Sequence, residues 1–135
     1  MTATEPIHYF DTSALVKLVV EEGESPALFE WLHAEPRRII TSDLSRTELL
    51  RAVRRVSPLH AAAARTVLRA CGTVAVSTDI CDRAALLDPE SVRSLDAIHL
   101  ATALSLGDDL DSFVCYDSRL IEAANLNGLT AAAPA

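Results

Sequence analysis

The chain predicts a single α/β domain, a mostly parallel sheet of four to five strands flanked by helices. Three observations carry this. Short β-branched or aromatic runs alternate with helical apolar spacing along the whole chain. A length of 135 residues suits one domain and is too short for two. Half the residues are hydrophobic and 23% are charged, which excludes a disordered chain. The domain is expected to span 1–135, with its core over 7–130 and a tail at 132–135.

Ile7-His-Tyr-Phe10 reads as a short buried strand that ends at Asp11. From Ser13 to Glu22 the spacing is helical, with Leu15, Leu18 and Val19 on one face. Glu21–Glu24 is expected to be a solvated acidic turn. Ser25-Pro26 opens a second helix through Ala34, and Trp31 reads as a core or interface ring. Arg38–Thr41 is the second strand. A helix over 45–56 follows, and Pro58 breaks it and opens another over 59–70 that Gly72 ends. Thr73–Ser77 alternates and is the third strand. Asp79–Leu87 is a short helix. The helix over 95–106 is apolar almost all round, which implies burial on most sides, and Gly107 stops it. Phe113–Tyr116 is the fourth strand, again ending at an Asp, Asp117. The helix over 118–126 stops at Asn127-Gly128, and 129–131 predicts an edge strand.

Charge and cysteine content narrow the function. The chain carries 12 basic against 19 acidic residues, net −7, so it does not bind nucleic acid by overall charge. The basic set is one lysine, Lys17, and eleven arginines, which fits either codon usage or bidentate phosphate contacts. Cys71, Cys81 and Cys115 form no CxxC pair and read as reduced, packed cysteines of a cytoplasmic protein. No apolar run reaches 18 residues, so no membrane span is expected, and Met1–Pro6 lacks the pattern of a secretory leader.

The carboxylates are the chemistry on offer, because no phosphate loop, CxxC, HExxH or GxSxG is present. Asp11 and Asp117 each follow a strand, and parallel strands put both at the same rim, where α/β sheets bind ligands. Asp96 heads the most buried helix, and Glu48 lies in the first turn of the helix after strand two. A structural reading stands beside this one. All four sit near helix N-termini, where carboxylates cap, and Ser45-Arg-Thr-Glu48 fits a capping box. If the four converge, a cation must neutralise them, and hard oxygen donors select Mg²⁺ or Mn²⁺. Setting those four charges aside takes the chain from −7 to −3, and Arg37, Arg38, Arg46, Arg51, Arg54 and Arg55 offer a locally basic stretch.

Tyr9-Phe-Asp-Thr-Ser-Ala-Leu15, the Glu in Thr47-Glu-Leu-Leu-Arg51, Leu95-Asp-Ala-Ile-His-Leu-Ala-Thr-Ala103 and Val114-Cys-Tyr-Asp-Ser-Arg-Leu120 together resemble the PIN-domain signature. Their order and spacing are similar to VapC toxins of type II toxin–antitoxin modules. The resemblance covers 7–130, and its most specific stretch is 95–103. It implies a metal-dependent ribonuclease that cuts tRNA, rRNA or mRNA, with Asp11, Glu48, Asp96 and Asp117 as the acidic quartet. Asp11, Asp96 and Asp117 would hold Mg²⁺ or Mn²⁺, with Thr12 or Ser13 as the hydroxyl beside the first Asp. It also implies a VapB-type antitoxin as partner. Cys115 departs from the small hydroxyl residue expected at that spot, with packing as its expected consequence.

Three further features carry two readings each. His99, one turn past Asp96, reads as a general base or as a buried histidine bonded to backbone. Arg93 reads as a support of the acids, a contact for RNA phosphate or a plain surface residue. Asp108–Asp111 lacks the Gly and Glu of a calcium loop and reads as a solvated turn. A homodimer is expected from the small and apolar residues Ala61–Ala64, Val67 and Leu68. The alternatives in function are a non-catalytic PIN-fold binding module and a haloacid-dehalogenase-like phosphatase. The latter needs a second Asp where Ser13 stands.

Overall fold

The computed structural model describes residues 5–135, so the leader expectation for Met1–Thr4 lies outside the described residues. Five strands, β1 (Ile7–Phe10), β2 (Arg38–Ser42), β3 (Gly72–Val74), β4 (Leu110–Val114) and β5 (Ala131–Ala132), form one sheet. Its order is β3-β2-β1-β4-β5, and every pairing is parallel. Around it lie α1 (Thr12–Val19), α2 (Ser25–Ala34), α3 (Leu44–Val56), α4 (Ala61–Ala70), α5 (Thr78–Ala85), α6 (Ser94–Ser105) and α7 (Ser118–Leu126).

Period-two alternation along β1 makes two cores from one strand. Tyr9 packs on one face with Ile40, Leu100, Phe113 and Leu120, and its ring stacks on Phe113 at 5.4 Å. Phe10 packs on the other face with Leu15, Leu28, Leu49, Val53 and Val114. Each such fully buried side chain contributes about 1.5–3 kcal/mol, so the central strand is held from both sides. β1 therefore fixes the position of whatever follows it, and Asp11 follows it.

The elements stand as the sequence predicts, with boundaries that neighbours shift. β4 covers Leu110–Val114 rather than 113–116. Leu110 pairs with Ile7, and Ser112 Oγ hydrogen-bonds His8 Nδ1 at 2.6 Å, so the partner strand draws polar residues into the ladder. Asp111 thus lies within that strand, second after Leu110, instead of closing a turn. α1 stops at Val19, short of Glu22, because Ser25 Oγ donates to the Lys17 carbonyl at 2.7 Å and accepts from Glu22 N. β3 is shorter than predicted and sits at the sheet edge, and Pro58 opens a 3₁₀ turn over Pro58–His60 before α4 begins. Gly107 (φ +60°) and Gly128 (φ +84°) provide the left-handed stops after α6 and α7.

The expected tail is not free. Cys115 N–H donates to Ala132 O, and Tyr116 Oη donates to Pro134 O at 2.7 Å, so the last residues are tied to the sheet edge. Trp31 is a half-buried ring, edge-on to His8 at 4.9 Å with the Arg37 guanidinium 3.8 Å above it. All three cysteines are free thiols. Among the described residues, no helix is long and apolar enough to cross a membrane.

Candidate active site at the sheet switch point

The chain builds outward from β1 through β2 to β3, then returns to place β4 on the other side of β1. Open α/β sheets bind ligands beyond the strand ends where the order reverses in this way. The four sequence-predicted acids come to that crevice from β1, α3, α6 and β4.

Asp11 is the first residue past β1, 4% exposed, and its amide donates to Val114 O on β4 at 3.2 Å. It caps α1 while serving the crevice. Oδ1 accepts from Ser13 Oγ at 2.6 Å and Ala14 N at 3.1 Å, and Oδ2 accepts from the Cys115 thiol at 3.2 Å. Burial pushes its carboxyl above the usual range despite those donors. Asp117 is exposed and caps α7, accepting from the amides of Arg119 and Leu120. Asp96 is half-buried in the first turn of α6. Burial raises its carboxyl; His99 opposes the rise, while Asp117, Asp11 and Glu48 add to it. Asp96 thus feels the charges of the other three acids. Among the described residues, no basic side chain pairs with Asp11, Asp96 or Asp117 within 4.0 Å. No three His, Cys, Asp or Glu side chains among them form a ready-made metal cage.

Glu48 is not a capping-box residue. α3 begins one residue early behind Asp43, without a side-chain cap, and Ser45 Oγ bonds Thr41 Oγ1 at 2.7 Å. Freed from the helix terminus, Glu48 Oε1 accepts from Thr12 Oγ1 at 2.6 Å and meets His99 Nε2 at 2.7 Å. Burial alone would raise its carboxyl, but these two partners overcome that and hold it low. His99, 2% exposed, is not bonded to backbone as one reading expected. Its Nδ1 meets Tyr9 Oη at 2.6 Å. Burial raises the Tyr9 phenol far out of its ionising range. A phenol donating to Nδ1 leaves the ring hydrogen on Nε2, facing Glu48.

Arg93 reaches none of the acids. It is exposed and lines a groove of about 640 Å³ beside Asp96 and Asp117, with Arg119, Ser118 and Leu126. Sequence reasoning missed Tyr9 and Arg119, and gave Cys115 a consequence for packing alone. Period-two spacing carried a signal for Cys115, which precedes Asp117 by two. Its thiol donates to Asp11 and its sulfur accepts the Asp117 amide at 3.4 Å, so it links the two strand-end acids rather than merely packing. Burial, with the Asp11 charge beside it, drives this thiol well above its usual pKa.

A sheet of this order with acids gathered at its switch point is the architecture of a PIN domain, and the chain belongs to that family: the PIN domain model matches residues 8–126. Its relatives narrow the group. It is 45% identical over 129 residues to Ribonuclease VapC35 of Mycobacterium tuberculosis, covering 93% of this chain and 96% of that protein. Ribonuclease VapC46 of the same organism is 40% identical over 126 residues, with the same coverage. Among solved structures, Mycobacterium tuberculosis VapC20, described as a sarcin-ricin loop cleaving toxin, superposes with a TM-score of 0.76 at 18% identity, over 94% of this chain and 99% of that one. A toxin–antitoxin complex from Klebsiella pneumoniae gives a TM-score of 0.72 at 22% identity, over 95% and 98%.

Proposed function

We propose that the chain is a metal-dependent endoribonuclease, the toxin of a VapBC-type toxin–antitoxin pair, with Asp11, Glu48, Asp96 and Asp117 as its catalytic acids. The observation that carries this is a crevice in which Asp96 feels the charges of Asp11, Glu48 and Asp117, and three of the four acids have no basic partner among the described residues. Naming of the relatives as VapC ribonucleases supports the reaction class. The donor set fits Mg²⁺ or Mn²⁺. It is all hard oxygen, and Mg²⁺ commonly takes only one or two carboxylates, filling its shell with water and substrate phosphate. A preformed three-residue cage is therefore not required. The Cys115 thiol, kept protonated, acts as a donor to Asp11 and not as a ligand.

Asp11, Asp96 and Asp117 would hold the cation, with Ser13 and Cys115 orienting Asp11. When bound, a divalent ion neutralises phosphoryl charge and acidifies a water. Glu48, held ionised by His99 and Thr12, accepts a proton from the attacking water at Oε2, the oxygen that makes none of these bonds. RNA incubated with the protein and Mg²⁺ should yield 5′-phosphate and 3′-hydroxyl ends, and EDTA should stop the reaction. EDTA-resistant cutting with 2′,3′-cyclic phosphate ends would refute the reading, because that chemistry uses the ribose hydroxyl.

The same reading includes a homodimer in the cytoplasm and a VapB-type antitoxin. Ala64 and Leu68 turn inward onto α3, but Val56 and Leu59 stay 61% and 88% exposed beside the exposed Ala62 and Ala63. Sedimentation at micromolar concentration should give twice the chain mass, and Leu59→Glu should shift it to the monomer. A wild type that sediments as a monomer throughout would remove the dimer.

A further inference from the structure

We infer that the groove between the start of α6 and α7 is a phosphate-binding subsite for the RNA strand next to the scissile bond, with Arg93 and Arg119 as its anion contacts. The inference rests on the ribonuclease reading; it commits Arg93 to the phosphate contact that the sequence offers as one of its readings, pairs it with Arg119 and couples both to cation occupancy.

The groove opens directly on Asp96 and Asp117, and its volume of about 640 Å³ lies in the range of ligand sites. Arg93 and Arg119 line it together. Neither lies within 4.0 Å of a carboxylate among the described residues, although Asp96, Asp117 and Glu122 line the same groove. Other arginines, such as Arg69, are likewise unpaired among the described residues, but Arg93 and Arg119 are the two that line this groove. Two guanidinium groups free of partners suit bidentate contact with phosphate oxygens. The apolar side chains Val92 and Leu126 line the same space, and Leu126 is 69% exposed, which offers a ribose or base an apolar surface.

The charge balance gives the subsite a condition. Three carboxylates against two guanidiniums leave the groove net negative, in a chain that is itself −7. An RNA phosphate is repelled until Asp96 and Asp117 are neutralised by a divalent ion. Strand binding through Arg93 and Arg119 is therefore coupled to cation occupancy.

The test is fluorescence anisotropy of short labelled single-stranded RNAs of mixed sequence, in Ca²⁺ and in chelator, as salt is raised. Ca²⁺ should tighten wild-type binding. Arg93→Ala and Arg119→Ala should each weaken the Ca²⁺ form about tenfold and flatten the log–log salt slope by about 0.7, the contribution of one phosphate on a single strand. Arg119→Lys should keep the slope, and Arg69→Ala, exposed on α4 and outside the groove, should match wild type. Both positions are exposed, so melting temperature should not move. Wild-type affinity and slope in both alanine variants would overturn the subsite while leaving the ribonuclease reading intact. An equal loss in Arg69→Ala would overturn it as general charge. A wild type that binds no RNA would overturn both readings.

Discussion

Asp11→Asn and Asp96→Asn should each reduce RNA cleavage by more than about 100-fold while the protein folds as well as before or better. Asn keeps the shape of Asp and caps a helix about as well, so the α1 cap at position 11 survives the change. What is lost is the negative charge that a cation needs. The stability direction follows from the carboxyls themselves. Burial raises Asp11 and Asp96 above their ordinary 3.8, and for Asp96 the neighbouring acids add to the rise. A raised acid disfavours the charged form in the fold. Stability is thus fully present below the unfolded value and falls as pH rises through the folded value. At neutral pH the apo wild type carries that cost, and an uncharged Asn removes it. Mg²⁺ should raise the wild-type melting temperature and leave the two variants unmoved. Pure capping predicts the opposite for activity: Asp→Asn would be silent. Full cleavage by both variants would end the metal-site reading.

Removing His99 should be the most damaging single change outside the acids. The ring is buried, bonded at 2.6 Å to Tyr9 and at 2.7 Å to Glu48, so His99→Ala leaves a cavity, a phenol and a carboxylate without their partner. A loss of about 3–5 kcal/mol is expected from cavity and broken bonds together. Tyr9→Phe, which removes one hydroxyl and orphans Nδ1, should cost about 1–3 kcal/mol. Cleavage should fall with both, since Glu48 loses its alignment and the donor that holds it ionised. His99→Gln, which can still donate to Glu48, should recover part of the activity. Urea unfolding and single-turnover cleavage read the two effects separately. Wild-type stability in His99→Ala would show that the network carries no weight.

Much of the fold was legible because the signals were local. Strand β1 declared itself by the short β-branched and aromatic run Ile7–Phe10, and α6 by an apolar surface on nearly every side. The stops at Gly107 and Gly128 needed only the glycine and its neighbours. The two strand-end acids were equally local, since Asp11 and Asp117 follow strands of the same rim in any parallel sheet. Boundaries moved where a partner intervened. Leu110 and Ser112 have no strand signal of their own and join β4 because β1 offers them a ladder and His8 offers a hydrogen bond. Ala132 and Pro134 read as tail until β4 and Tyr116 bind them.

The site divides along the same line. The sequence by itself singled out the candidates for chemistry: four carboxylates at helix starts, with Ser13 beside the first and a histidine one turn past the third. It could not determine which of two uses each one has, because a cap and a ligand place the same residue at the same position. Tertiary structure answered it for Glu48, which bonds Thr12 and His99 instead of capping α3. Residues 36 apart bring Thr12 onto Glu48, residues 51 apart bring His99 onto it, and residues 104 apart bring the Cys115 thiol onto Asp11. These contacts form across the sheet switch point, where chain distance is greatest and local spacing is silent. The competition between capping Glu48 in α3 and bonding it to His99 is settled by burial, since a buried histidine must find partners for both ring nitrogens, and Tyr9 and Glu48 lie nearest, with Thr12 Oγ1 farther from Nε2 at 3.4 Å.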